Sequence, residues 1–323
     1  MPTKTVTAAE TDDEAMKKAS RMSLMRTLLP IVGLVIIFVI FNILTHGQMI
    51  QGLALTFSDV YVTLISSMGV FFIMTMGGLD FSQGSILGIA SIVICALSKY
   101  NVALAVIAGV AAGAAIGLIN AFFYVKRKIK SFIVTICTMF LFRGIIKYLT
   151  SNTPVAASAN LTNLYSVPLL VTLTAIVLII GFIFFRFTRF GTDLKAIGAG
   201  ETAAKFAGIK TDKTKFLIYV LAGAITGFAA FINVLKVGSA TYNSGSMLET
   251  KILIALVLGG MPISGGAKVN FLNVVVGSFL YVVLNRGLQM MGLTTPTQQL
   301  IQGIIFLVFV FIFADRESLT VIK

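Results

Sequence analysis

The sequence predicts an all-α integral membrane protein, a polytopic bundle of about ten transmembrane helices broken at glycine-rich motifs. Three observations predict it. Of the 323 residues, 57% are hydrophobic and only 11% are charged, whereas a soluble domain carries about 25% charged residues. Several apolar runs approach the roughly 20 residues that a helix needs to cross a bilayer core. The basic residues, which give a formal charge of +13, sit in a few segments between those runs instead of covering one face. That pattern points to membrane orientation and away from a nucleic-acid partner.

The candidate spans are 28–44, 53–76, 84–98, 102–125, 131–150, 168–187, 216–235, 252–263, 269–285 and 298–314. With the N-terminus placed inside, 19 of the 25 Lys and Arg residues fall in inner segments and 4 in outer ones, while Arg143 and Lys147 lie within a span. A bias of that size predicts ten spans, a multi-pass protein of the bacterial inner membrane, and both termini in the cytoplasm. The chain then divides into a polar cytoplasmic tail (1–26), a transmembrane domain (27–315) with a long inner loop (186–215), and a second tail (316–323). The first run, Leu28 to Leu44, is long and ends in Thr45-His46-Gly47, so it reads as an uncleaved helix, not a signal peptide.

Two spans are too short to cross alone. Residues 84–98 follow Gly77-Gly78-Leu79-Asp80-Phe81-Ser82-Gln83-Gly84, and residues 252–263 run into Gly259-Gly260-Met261-Pro262-Ile263-Ser264-Gly265-Gly266. Glycine pairs and proline interrupt helices. Broken backbone at membrane depth survives only where protein or water covers it, and in transporters such breaks often mark the solute path. Gly77, Gly78, Asp80, Ser82, Gly84, Gly259, Gly260 and Ser264 are therefore the candidate pathway residues. The two breaks are expected to meet near the path or to support the helices that line it, and the hydroxyls of Ser82 and Ser264 would suit a neutral polar solute. Asp80 has two readings that stay open: a carboxylate on the path, or an N-cap for the helix beginning near Ser82.

Other ionisable residues read plainly. Arg143 and Lys147 share a helix face; Lys147 is expected to snorkel to an interface and Arg143 to form an internal pair. Cys95 and Cys137 lie in apolar runs and are expected to be small core residues, and His46 a loop residue. No cofactor or metal site is expected. The chain has no phosphate-binding loop, zinc signature or nucleophile elbow, so it is not expected to be an enzyme. Any ATP-derived energy must enter from another subunit.

The inner loop 186–215 is the longest hydrophilic internal stretch. A run without breakers, Glu201 to Ala207, predicts a short helix, with Gly200 before it and Gly208 as a C-terminal stop. Such a loop is either an ordinary basic loop or a docking element. In the second case Gly198, Glu201, Ala203, Ala204, Phe206 and Gly208 couple the chain to a cytoplasmic ATPase. The small alanine face would allow close approach, Phe206 would anchor in a pocket, and Glu201 would complement the helix dipole or pair with an arginine of the ATPase.

Several blocks in order carry a family resemblance. They are Met76 to Ser85; Gly117-Leu118-Ile119-Asn120-Ala121 with Phe132-Ile133-Val134-Thr135 and Phe142-Arg143-Gly144; Ala196-Ile197-Gly198 through Ala203-Ala204 to Gly208-Ile209; and Leu258-Gly259-Gly260 with Ser264-Gly265-Gly266, Asn285-Arg286-Gly287-Leu288 and Gln299-Leu300-Ile301-Gln302-Gly303. Over nearly its whole length the chain resembles the permease subunits of ribose-type sugar ABC importers. The resemblance implies a second permease copy or paralogue, cytoplasmic ATP-binding subunits, an extracytoplasmic solute-binding protein, and a surrounding lipid bilayer. The chain departs from the family at Lys130-Ser131, where proline is usual, and at Asn120-Ala121, where Asn-Gly is frequent. Nucleosides, furanose signal molecules and branched-chain amino acids are alternative solutes. A stand-alone secondary transporter would need coupling carboxylates in its spans, and only Asp80 qualifies.

Overall fold

The computed structural model describes residues 28–262, 264–266 and 269–313, so the two expected tails (1–26 and 316–323) lie outside the described residues. Among the described residues the chain is helical almost throughout. The helices are α1 (Leu28–Leu44), α2 (Gln48–Gln51), α3 (Leu53–Thr75), α4 (Gln83–Leu97), α5 (Val102–Ala121), α6 (Ser131–Thr150), α7 (Ala159–Thr162), α8 (Val167–Phe187), α9 (Arg189–Ala199), α10 (Glu201–Phe206), α11 (Thr211–Val237), α12 (Leu248–Leu258), α13 (Leu272–Met290) and α14 (Thr295–Phe313). A π turn, Phe122–Lys126, extends α5. Five of these helices are long and apolar enough to cross a membrane: α3, α5 with its π turn, α6, α8 and α11. Each of the ten expected spans holds a helix, the eighth only as far as Leu258 and the ninth only from Leu272, and the last position of the tenth, 314, lies outside the described residues.

Helix α3 is the centre of the bundle and is buried along most of its length, with α8, α9, α11, α12 and α13 packed round it. An aromatic cluster of Phe71, Phe72, Phe185 and Phe271 ties α3 to α8 and to the start of α13. The tightest helix pair is α5 against α11. A Cβ on Gly113 would lie 2.2 Å from the Gly223 carbonyl oxygen, and one on Gly117 2.3 Å from that of Tyr219. Small residues at such spacing let membrane helices approach backbone to backbone. The outer faces of α6, α8 and α14 carry exposed Phe140, Leu141, Ile179, Ile180, Leu300 and Leu307, as a lipid-facing surface requires.

The fold departs from expectation in four places. The inner loop holds two helices, and the longer, α9, contains Gly191 and Gly198. Helix α10 stops at Phe206, one residue before the expected end. Cys95 is buried, but Cys137 is exposed on α6 and is no core residue. The fourth departure is in the segment between α11 and α12, which sequence alone places in an outer loop. Its first residues, Ser239–Ala240, pair antiparallel with Val155–Ala156. It then descends along α4. The Ser244 carbonyl sits 2.8 Å from a Cβ built on Gly88, and the Gly245 carbonyl 2.3 Å from one built on Gly84. Gly84 is 14 residues before Ser98, so at 1.5 Å per residue the segment re-enters the bundle by roughly 20 Å. Helix α12 starts at that depth.

Candidate functional site

The first glycine break folds round Asp80. Its Oδ1 accepts from the Ser82 backbone N–H at 2.7 Å and from the Ser82 hydroxyl at 2.6 Å, and its Oδ2 accepts from Gln83 Nε2 at 2.6 Å. Asp80 is 1% exposed. The carboxylate thus closes a local turn onto α4. The network extends outward: Asn120 of α5 donates to the Ser82 hydroxyl at 2.8 Å, and Thr226 of α11 donates to Gln83 Oε1. Leu79 donates to the Ser131 hydroxyl at 3.3 Å and accepts from the Tyr219 hydroxyl at 3.3 Å. Ser131, at one of the two positions where the chain departs from the family pattern, therefore has its own task of holding the turn.

The two breaks meet each other. Gly266 N–H donates to the Thr75 carbonyl at 2.9 Å. Gly77 and Gly265 have φ of +80 and +71, values that favour glycine, and a Cβ on Gly265 would lie 2.2 Å from the Met74 carbonyl oxygen. Gly198 of α9 closes the junction, since a Cβ there would lie 2.1 Å from the Thr75 carbonyl oxygen. Gly78 packs against Ile73, Met76 and the Tyr219 hydroxyl, Gly259 lies backbone to backbone with α13 at Gly277, and Gly260 takes φ +86. Ser82 is buried in the Asp80 network, while Ser264 is exposed. None of the eight candidate pathway residues lines either of the two cavities beside the re-entrant segment, although Phe81, within the first break, lines one of them and Gly245, packed on Gly84, lines the other. They build the backbone behind those cavities.

The re-entrant segment is held by Arg143 of α6, which donates to the carbonyls of Ser244 and Gly245 at 3.0 Å each. Its guanidinium lies 3.7 Å from Glu249 at the start of α12. Two cavities flank this segment. One, of about 390 Å³, has Asp59, Asn233, Lys236, Thr241 and Asn243 in its walls. The other, of about 480 Å³, lies among α12, α13 and α14, with Thr250, Gln298, Gln299 and Gln302 in its walls. Lys251, Tyr281, Asn285 and Gln289 line both. Both volumes fall within the range of small-molecule sites, roughly 300–1,000 Å³. Lys236 pairs with Asp59, so the polar part of the walls is amides, hydroxyls and one further ammonium, Lys251, while the second cavity is otherwise apolar, with Phe81, Met247, Leu253, Ile254 and Phe306 in its wall. Asn285 and Gln302 belong to the family blocks already noted; Lys251, Tyr281 and Gln289 lacked any sequence signal, because only folding brings their helices together.

The other end carries α9 and α10. Gly208 (φ +85) ends α10 in a left-handed cap: its N–H donates to the Lys205 carbonyl at 3.0 Å and that of Ile209 to the Ala204 carbonyl at 3.0 Å. Ala204 is buried, Ala203 is exposed, and Phe206 is 89% exposed. Glu201 is engaged within the chain, with Lys205 at 3.0 Å and Lys215 at 2.5 Å. Burial pushes its carboxyl up, but hydrogen bonds from Lys215 and Lys205 outweigh this and hold it below the usual carboxylate range. Lys215 also lies over the Tyr124 ring, which packs on Tyr219. A continuous line of contacts thus runs from α10 through Lys215, Tyr124 and Tyr219 to the backbone beside Asp80.

The sequence profile of a family described as branched-chain amino acid transport system / permease component matches residues 49–310. The ribose import permease of Bacillus subtilis (strain 168) is 30% identical over 308 residues, covering 91% of this chain and 94% of that protein. The ribose import permease of Escherichia coli (strain K12) is 29% identical over 263 residues, covering 78% and 82%. The L-arabinose ABC transporter permease of Azospirillum brasilense is 31% identical over 272 residues, covering 81% and 78%. No solved structure matches the chain. A match over this much of the chain, on a fold of apolar helices with a broken, covered backbone, shows that the protein is a multi-pass membrane protein and belongs to the ribose-type permease family of ABC importers.

Proposed function

We propose that the chain is the membrane-spanning permease subunit of a bacterial ABC importer for a sugar or similar small polar solute. Its path passes the two cavities that share Lys251, Tyr281, Asn285 and Gln289. The observation that carries this reading is the wall chemistry. Amides and hydroxyls both donate and accept, which suits a solute whose polar groups are mostly hydroxyls, and the relatives are import permeases for ribose and arabinose. The eight glycine-break residues support the helices behind the path, and Asp80 closes the turn that leads into α4, whose N-cap is Ser82. Separate cytoplasmic ATPase subunits supply the energy, an external solute-binding protein delivers the solute, and a second permease copy or paralogue completes the channel. The chain moves its solute without transforming it.

The ATPase contact is assigned to α9 and α10 (Gly198, Glu201, Ala203, Ala204, Phe206 and Gly208). Phe206, 89% exposed beside Ala203, is the anchor, since aromatic side chains seated in a partner's pocket carry much of the binding energy of interfaces. Glu201 is spent on Lys215 and Lys205, so it serves the internal line toward Leu79 and is not reserved for an arginine of the partner.

The test is uptake of radiolabelled ribose, arabinose, allose and galactose by the complete importer. Asn285→Ala and Gln289→Ala should lower uptake of whichever sugar is carried at least tenfold and leave ATPase association intact. Phe206→Asp should do the reverse, releasing the ATPase. Wild-type rates in both cavity variants would remove the path from these cavities, and failure to carry any sugar of the panel would remove the sugar assignment.

A further inference from the structure

A third cavity, of about 640 Å³, lies at the α9–α10 end between the π turn of α5 and the α10–α11 junction. Four lysines line it, Lys126, Lys205, Lys210 and Lys213, against one acidic residue, Asp212. Lys205 is tied to Glu201 at 3.0 Å. Lys126, Lys210 and Lys213 form no ion pair with any described residue. The rest of the lining is mainly apolar, with Val125, Ile209 and Phe216 half-buried. On the same two helices Phe122, Phe123 and Leu217 are each at least 40% exposed, so the apolar lining continues onto an exposed apolar surface.

We propose that this cavity binds the phosphate-bearing headgroup of an anionic phospholipid, with the lysines on the phosphodiester and Val125, Ile209 and Phe216 against the first carbons of its chains. The combination decides the ligand class. Free phosphate would gain from the lysines but nothing from the apolar lining, whereas a lipid at the membrane boundary uses both. The walls are set without the ligand. The π turn departs from the α-helical path of α5 and so changes where Val125 and Lys126 project. Lys215 holds α10 through Glu201 and α5 through Tyr124. Phe206 lies outside the lining, so the surface assigned to the ATPase and the lipid cavity are separate features of one small region. The inference does not depend on which solute the chain carries.

The experiment is native mass spectrometry of the purified full chain from mixed vesicles of phosphatidylcholine and phosphatidylglycerol. Wild type should retain phosphatidylglycerol in preference to phosphatidylcholine. Each of Lys126→Gln, Lys210→Gln and Lys213→Gln should weaken retention about fivefold and the triple variant roughly a hundredfold, from about one lysine's worth of surface attraction each. Lys147→Gln, an exposed lysine on α6, is the control and should change nothing. Phe216→Asp should also weaken retention. Equal retention by the triple variant and the control overturns the proposal. So does displacement of the lipid by millimolar inorganic phosphate, which would make this a free-phosphate site. The third overturning result is a triple variant that loses the ATPase with its lipid count unchanged, which would make the lysines a protein contact.

Discussion

Arg143 and Glu249 form an ion pair inside the bundle. Arg143 is satisfied by two carbonyls of the re-entrant segment, and Glu249 Oε2 has the guanidinium 3.7 Å away but no hydrogen bond. Removing one member of a buried pair strands the other, at about 3–5 kcal/mol. Arg143→Gln should therefore be strongly destabilising in detergent melts, and Arg143→Gln with Glu249→Gln should recover part of the loss. Strict additivity of the two single variants would show that the groups do not interact. Asp80→Asn sets a different problem, because the amide cannot accept all three bonds now made to the carboxylate. A cost of roughly 1–3 kcal/mol, with reduced uptake, is expected, and an unchanged melting profile would remove the turn-closing role. Glu201 sets the pH behaviour of α10. Its carboxyl lies below the usual range when folded, so the stabilisation is fully present at neutral pH. It is lost only as the pH falls through that lowered value. The protection of amides 200–208, corrected for the intrinsic pH dependence of exchange, should stay constant from pH 8 to 5 in wild type and be lower throughout in Glu201→Gln.

Elements show where sequence patterns were sufficient and where they misled. Long apolar runs such as α3, α8 and α11 are set by a demand that each segment satisfies alone, the pairing of its backbone in lipid, so they are legible. Helix α9 was not, because glycine disfavours a helix interior and α9 contains two, Gly191 and Gly198. In the fold both glycines serve close approach, with a Cβ at either position falling 2.1 Å from a carbonyl oxygen, of Phe185 and Thr75 respectively. The segment 239–247 is uncharged and rich in small polar residues, which suits an outer loop equally well. Its descent depends on Gly84 and Gly88 of α4, over 150 positions earlier. Gly208, by contrast, was legible as a local stop. It has φ +85 and open space around it, so substitutions there act on α10 alone. Gly208→Ala should cost about 1–2 kcal/mol locally. Gly208→Pro, which also removes the N–H bonded to Lys205, should unravel the cap and abolish coupled uptake with membrane insertion intact. Normal coupling in Gly208→Pro would place the ATPase contact elsewhere.

At the scale of the molecule the remaining question is orientation, and the lysine and arginine distribution answers it with a prediction. The two ends of the bundle differ in kind. One carries the α9–α10 pair and the lysine-lined cavity; the other carries the paired strands Val155–Ala156 and Ser239–Ala240, from which the re-entrant segment descends to the first glycine break past the two cavities with amides in their walls. Basic segments are retained in the cytoplasm, so the α9–α10 end should be inside, where the ATPase is, and the amide-lined cavities should open outward, where a binding protein delivers solute. The residues that fix the two ends are far enough apart to be labelled separately. In a background with Cys95 and Cys137 replaced by serine, a cysteine at Lys128 or Lys205 should react with a membrane-impermeant maleimide only after the membrane is opened. A cysteine at Asn160 should react in intact cells. Lys128 follows the π turn and Lys205 sits on α10, both exposed, so lack of reaction from outside could not be put down to burial. Labelling of Lys205→Cys in intact cells would invert the molecule and take the ATPase assignment of α10 with it.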